Sequence, residues 1–209
     1  MFVQVLEPVA LGLVESLARP GANVTGFTHF ESTMVGKWLE LLKETDPRIS
    51  RAAVVYDPEN PASTVYLRSI ETVAPSFGLE LTAIGIRNAI DIERALKSFT
   101  QAAGGGLIVL PNPVTLAHRE MTIALAMRHR LPAVYPHRLY TASGGLISYG
   151  TDLGDIYLRA AAYVDRILKG EKPADLPVQQ ATKFELIINA KDREDAGPSC
   201  AAFAARARR

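Results

Sequence analysis

The chain alternates short apolar runs, rich in β-branched residues, with longer stretches in which apolar residues recur every three or four positions. Runs of the first kind read as strands buried on both faces, and those of the second as amphipathic helices. The pattern predicts strands at 2–6, 52–56, 79–86, 106–110, 133–135, 146–149 and 184–188. Between them it predicts helices near 9–18, 33–45, 61–76, 91–102, 114–130 and 153–169. Such alternation marks parallel strands joined by crossover helices, a doubly wound α/β arrangement. Pro20-Gly21, Asp57-Pro58 and Gly170 after Lys169 punctuate the boundaries. The initiator methionine stands directly against the first strand.

Two stretches between elements are long and carry aromatic rings: VTGFTHFE at 24–31 and YPHRLYTASGG at 135–145. They suit links between two lobes, and they equally suit ordinary long loops. Open α/β sheets bind ligands at the C-terminal ends of their strands. Those ends read Glu7-Pro8, Tyr56-Asp57-Pro58-Glu59-Asn60, Ile86-Arg87-Asn88, Pro111-Asn112-Pro113, Tyr135-Pro136-His137 and Ser148-Tyr149-Gly150-Thr151-Asp152. Several join an aromatic ring, a proline-stiffened turn and a small polar group, as a pocket for an organic solute does. Pro, Asn and Asp are also what strand-to-helix turns contain anyway. Asn60-Pro61-Ala62-Ser63-Thr64 has the form of a helix start whose free amides suit a carboxylate. Thr151 or Asp152 reads as the cap of helix 153–169.

Composition narrows the function classes. The chain has 209 residues, 48% of them hydrophobic, enough for one large domain or two lobes without disulfide or metal support. Lys plus Arg is 23 against 22 for Asp plus Glu, so the charge balance gives no footprint for nucleic acid or a polybasic membrane patch. No run nears the roughly 18 apolar residues of a membrane span, and no export signal is written in the first thirty. The single cysteine, Cys200, has no partner for a disulfide or a thiolate metal site.

Motifs for catalysis fail on context. GGGLIV at 104–109 precedes a strand, whereas a dinucleotide fingerprint follows one and opens a helix. Neither a phosphate-binding P-loop nor a G-x-S-x-G nucleophile elbow occurs. His29, His118, His129 and His137 lack metal-ligand spacing. No catalytic residue, metal site or cofactor is expected, and the chain is not read as an enzyme.

Taken together, EPVALGLVESLARPGANVTGF, KWLELLKETDP, LIVLPNP, HRLPAVYP and GGLISYGTDLGDIYLRAAAYVDRILKGEKPADLPVQQATKFELIIN resemble one family closely. It is the ABC-transporter substrate-binding family of the tryptophan/tyrosine-binding-like type, and the resemblance runs from Phe2 to about Asn189. It implies a two-lobed, type I periplasmic-binding-protein fold with doubly wound parallel sheets. By that mapping, residues 1–24 and 140–179 belong to the N-terminal lobe and residues 28–136 and 183–190 to the C-terminal lobe. The implied ligand-binding residues are Glu7 and Pro8 from one lobe, with Tyr56, Asn60, Ser63, Pro111, Tyr135 and Tyr149 completing an interlobe cleft. The tyrosines suit stacking on a planar solute and equally suit packing within the lobe. The implied function is capture of a small, amino-acid-like solute and its delivery to an ABC permease driven by its ATPase. The implied compartment is the periplasm, or the cytoplasm if the chain is made as written without a leader.

Departures from the family carry expectations of their own. The family has Asp where this chain has Glu7, and its members carry a leader and three further strand-helix units before this point. The first lobe is therefore expected to be incomplete, leaving strands 2–6 and 146–149 short of neighbours and open to self-association. After Asn189 the family continues much like KTAKALGLTVPPSLLAR, where this chain reads AKDREDAGPSCAAFAARARR. One set of codons for Lys191 onward, read one base over, encodes RTAKTLGLHVPPSLLAR. That implies a frameshift and an aberrant tail at 191–209, which resequencing tests. The alternatives are an intracellular ligand-sensing domain of the same fold and a degraded, non-functional gene product.

Overall fold

A computed structural model describes residues 1–5, 7–9, 11–28 and 34–189. Leu6, Ala10, residues 29–33, which include the end of the first expected link, and the whole 190–209 tail with Cys200 lie outside the described residues. The chain divides into two compact units, 1–31 with 151–185 and 32–150 with the segment from 186 on.

The second unit is built on a six-stranded sheet whose order is β4-β3-β5-β6-β7-β8. The strands are β3 (Arg51–Tyr56), β4 (Glu80–Gly85), β5 (Gly105–Val109), β6 (Ala133–Tyr135), β7 (Ile147–Thr151) and β8 (Phe184–Ile188). Pairing from β4 through β7 is parallel. The bonds Asn189 N–H to Leu146 O and Asp152 N–H to Lys183 O bracket the last pair and fix β8 as antiparallel. Helices α1 (Met34–Thr45), α2 (Pro61–Val73), α3 (Ala89–Phe99), α4 (Pro113–Ala117), α5 (Arg119–Arg128) and α6 (Arg138–Ala142) connect the strands.

The period-two geometry of a strand sorts its side chains between the two helical layers. Ala53, Val55, Leu107 and Val109 enter a core with Ile92, Leu96 and Phe99 of α3 and Ile123, Leu125 and Ala126 of α5. The alternate positions meet α1, where a Cβ on Gly106 would stand 2.8 Å from Leu42. Trp38 of α1 packs its ring 6.0 Å from that of Tyr66 in α2. Helices thus cover both faces, which is why these strands read as continuous apolar runs.

In the first unit, β1 (Phe2–Val3) pairs in parallel with β2 (Gly26–Phe27), and α7 (Leu153–Leu168) packs beside them. Phe27, Ile156, Ala160, Tyr163, Leu176 and Ala181 form its core. Arg159 of α7 stacks its guanidinium 5.6 Å over the Phe27 ring and donates to Gln179 Oε1 at 2.9 Å. Lys183 pairs with Asp155 at 2.6 Å.

Four expectations need correction. Strand 2–6 is two residues long, Phe2–Val3. The expected helix 9–18 is a succession of turns among its described residues. Gly12 there takes φ +68°, outside the helical region, and Leu11 and Leu13 stay 46% and 40% exposed. With Val14 alone deeply buried among its described apolar side chains, the stretch gives a helix too little to offset its ordering cost. The third correction is that 114–130 breaks at His118 into α4 and α5, and the link 135–145 contains α6. The fourth concerns the open edge expected at 146–149: residues 147–149 fall within β7, which is flanked by β6 and β8, with Val134 and Tyr135 paired to Ile147 and Ser148.

Candidate functional site

In the second unit the C-terminal strand ends converge, and helices start there. Tyr56 closes β3, and its hydroxyl lies 3.5 Å from the Cβ position of Gly85 on neighbouring β4. Leu110 N–H donates to Val55 O at 2.9 Å, which sets Pro111 at the strand end beside Tyr56. Arg87, after β4, reaches Glu59 before α2 at 3.0 Å, an exposed pair that ties two of the loops together. Such a pair contributes little to stability and serves to order the rim.

Asparagines cap the helices that leave these ends. Asn60 accepts from Ala62 N–H at 3.0 Å, Asn88 from Asp91 N–H at 3.0 Å, and Asn112 from Thr115 N–H at 2.8 Å. An asparagine cap supplies an acceptor to amides that the helix itself leaves unpaired. At α4 the satisfaction is complete. Thr115 Oγ1 donates to Asn112 O and accepts from Tyr140 Oη at 2.9 Å. At α3 the Asp91 carboxylate receives the Arg87 N–H at 3.0 Å and the Arg94 side chain at 2.8 Å. At α2 it is not complete: Ser63 is 2% exposed and its hydroxyl has no partner.

Tyr135 is placed differently from the rest. It is 1% exposed and stacks on Tyr140 with ring centroids 4.9 Å apart and planes 14° apart. That stack is a packing contact of the kind the sequence allowed beside ligand contact. Burial pushes its phenol well above the ordinary range, and it pushes Tyr140 up to about 12. His137, just after β6, is held down to about 4 by burial and is neutral at ordinary pH.

Tyr149 lies half-buried in β7, where Trp38 Nε1–H donates to its carbonyl at 2.8 Å. The next residue has to be glycine. A Cβ on Gly150 would fall 1.9 Å from the Pro136 carbonyl oxygen, so β7 passes the 136–137 backbone at a distance no side chain permits.

Tyr56, Asn60 and Ser63 therefore share one strand-helix junction, Pro111 stands at the neighbouring strand end, and Tyr149 sits farther along the sheet. Glu7 and Pro8 belong to the first unit, where Glu7 is exposed at φ +48° and Pro8 is buried. Asn88, Asn112 and the Glu59–Arg87 pair complete the strand-end framework; the sequence names them within the strand-end loops but not among the implied ligand-binding residues. Their signal was present in the repeated pattern of an asparagine opening a helix after a strand.

A family model described as ABC transporter substrate binding protein matches residues 1–197, eight residues past the Asn189 limit inferred from motifs alone. A curated tyrosine-binding protein of Clostridioides difficile is 27% identical over 188 residues, 88% of this chain and 53% of the relative. The chain thus spans about half the length of that relative. A solved conserved domain protein from Vibrio cholerae O1 biovar El Tor superposes with a TM-score of 0.88 at 28% identity, over 99% of this chain and 69% of that one. An ABC domain from Streptococcus pneumoniae, solved in complex with L-Trp, shares the fold with a TM-score of 0.83 at 21% identity, over 95% of this chain and 68% of that one.

Proposed function

The chain belongs to the ABC transporter substrate binding protein family, and we propose that it captures a small amino-acid-like solute for an ABC importer. Members of this family bind substrates and are not enzymes, and the fold is of the type I periplasmic-binding-protein kind. The reading rests on the family match across residues 1–197. The junction of β3 and α2 supports it, because Tyr56 closes the strand that leads into a helix start suited to the anionic end of a solute.

Within the reading, an aromatic amino acid is the first candidate, because the curated relative is a tyrosine-binding protein. Tyr56 supplies the ring and α2 the donors, with Pro111 stiffening the adjacent wall. The loaded protein then delivers its solute to a membrane permease powered by a separate ATPase, on the extracytoplasmic side of the membrane. No covalent step is required of any residue.

Calorimetry and thermal shift against the twenty amino acids test the proposal. Tyrosine or tryptophan is expected to bind with a micromolar or tighter dissociation constant and to raise the melting temperature in proportion to the logarithm of its concentration. A panel in which no amino acid binds, while a sugar or another neutral solute does, refutes the amino-acid reading.

A further inference from the structure

We infer that α7 is a dimerisation helix, whose outward face packs antiparallel on the same face of a second copy of this chain. α7 sends Ile156, Ala160 and Tyr163 into the core of the first unit. A surface helix that buries one face so is expected to be polar elsewhere. α7 is not. Tyr157, Ala161, Val164 and Leu168 line a second face about 100° round the helix and lie within about 60° of one another. All four are exposed, Tyr157 by 55%, Val164 by 41% and Leu168 by 81%. Single exposed apolar side chains are ordinary, but a continuous line of them marks a surface that something covers.

The spacing of the line says what covers it. Its members follow one another at intervals of four, three and four residues, which is the seam spacing of helices that pack along their length. Laid antiparallel on its own copy about a two-fold axis, the line meets itself. Tyr157 faces Leu168, Ala161 faces Val164, and the same two pairs repeat in reverse. That is the self-complementarity an isologous contact demands. The large side chains fall at the two ends, and alanine at the centre lets the helices approach.

Charge argues against other occupants. A helix that lies on an anionic membrane keeps Lys or Arg available beside its apolar face. Here Arg159 is committed to Asp155, Arg166 to Glu171, and Lys169, the C-cap, to Asp165. The flanks are therefore close to neutral and present no charge for an oppositely charged partner to read. With Leu158, 76% exposed beside the line, the face offers on the order of 500 Å² per copy, and the pair buries about 1,000 Å², the lower bound of a specific interface. A dimer of that size is weak, with a dissociation constant expected in the micromolar range. The surface is distinct from the open strand edges expected from sequence to self-associate.

Sedimentation velocity on the full chain, from about 1 to 200 µM, tests the pairing across the range where such a constant shows. Wild type is expected to pass from monomer to dimer. Leu168→Lys and Tyr157→Glu, both at exposed positions, are each expected to keep the far-ultraviolet circular dichroism and to raise the dissociation constant at least about 30-fold, as loss of an interface hot spot does. Mixed in equal amounts, the two variants are expected to recover a dimer, because the antiparallel register sets the introduced lysine of one chain against the introduced glutamate of the other. Ile90→Glu, at a position 74% exposed on α3, is expected to leave the dimer as it was. A wild type that stays monomeric to the highest concentration overturns the inference. A dimer that both single variants retain belongs to a strand edge and overturns it too. So does a mixture that stays monomeric, since the register is then wrong, or a dimer dissolved by Ile90→Glu. A monomer that co-sediments with phosphatidylserine vesicles assigns the face to a lipid surface and likewise overturns it.

Discussion

Tyr140→Phe should change the sign of its effect as pH rises, and the structure sets where. At pH 8 the variant loses the buried bond from Tyr140 Oη to Thr115 Oγ1, 2.9 Å long, and with it about 1 kcal/mol. Thr115 keeps its own bond to Asn112 O, so no donor is stranded. Burial holds the folded-state phenol at about 12 against an ordinary value of 10.0. The folded value is the raised one, so the tyrosine's contribution is intact below pH 10 and is lost as pH climbs through the window from 10 to 12. Across that window wild type loses about 2.7 kcal/mol, at 1.36 kcal/mol per unit, and the phenylalanine variant loses none of it. Tyr135 is raised too, mainly by its own burial, which both proteins share, and only the smaller part that comes from Tyr140 beside it changes with the substitution. The two stabilities should therefore cross between about pH 10.5 and 11. Urea denaturation followed by far-ultraviolet circular dichroism, repeated from pH 8 to 11.5, measures the gap directly. A gap that stays near 1 kcal/mol throughout, or a variant already the more stable at pH 8, refutes the reasoning.

Three further outcomes follow from local geometry. Gly150→Ala drives a methyl to within 1.9 Å of the Pro136 carbonyl oxygen and should cost about 3 kcal/mol or more, read as a fall in the urea midpoint. Arg130 is exposed and sits at φ +50° just past α5, with Leu131 N–H bonded back to Ala126 O. Arg130→Gly relieves that left-handed strain and should gain about 0.5–1 kcal/mol. His137 has a folded value lowered to about 4, so its contribution is present above pH 6.5 and is lost as pH falls toward 4. The loss is up to about 3 kcal/mol, and His137→Gln should flatten that part of the stability profile.

The sheet of the second unit was legible because its strands are buried on both faces by helices. Residues such as Val54, Val55, Leu107 and Ile108 are fully enclosed and had to be apolar without interruption. The stretch 9–18 misled because its spacing is helical while Val9, Leu11 and Leu13 stay exposed, and spacing alone does not say how much of a stripe finds a partner surface. Tyr135 looked like a wall of the site because it ends a strand, yet only the fold reveals Tyr140 stacked against it. The sequence pattern located α2's start but not its peculiarity. Asn-Pro-Ala-Ser at 60–63 and Asn-Pro-Val-Thr at 112–115 are nearly the same words, and what separates them is which amide the asparagine side chain chose.

The way the chain returns to its first unit has a consequence for the order in which the protein takes shape. The strands from β3 to β7 arrive in one uninterrupted passage of residues 51–151, with Arg51 meeting Glu80 only 29 positions later. By contrast, the Thr25 hydroxyl bonds Leu176 O across 151 positions, and Leu17 O waits for the Val178 N–H. That span is more than two doublings longer, which adds about 1.4 kcal/mol of closure entropy before any contact is made. During synthesis the middle of the chain can consolidate on the ribosome while its beginning stands idle until α7 and the segment after it have emerged. The same asymmetry makes the first unit the earliest to come apart, and a pulse of protease should find it before it finds the sheet.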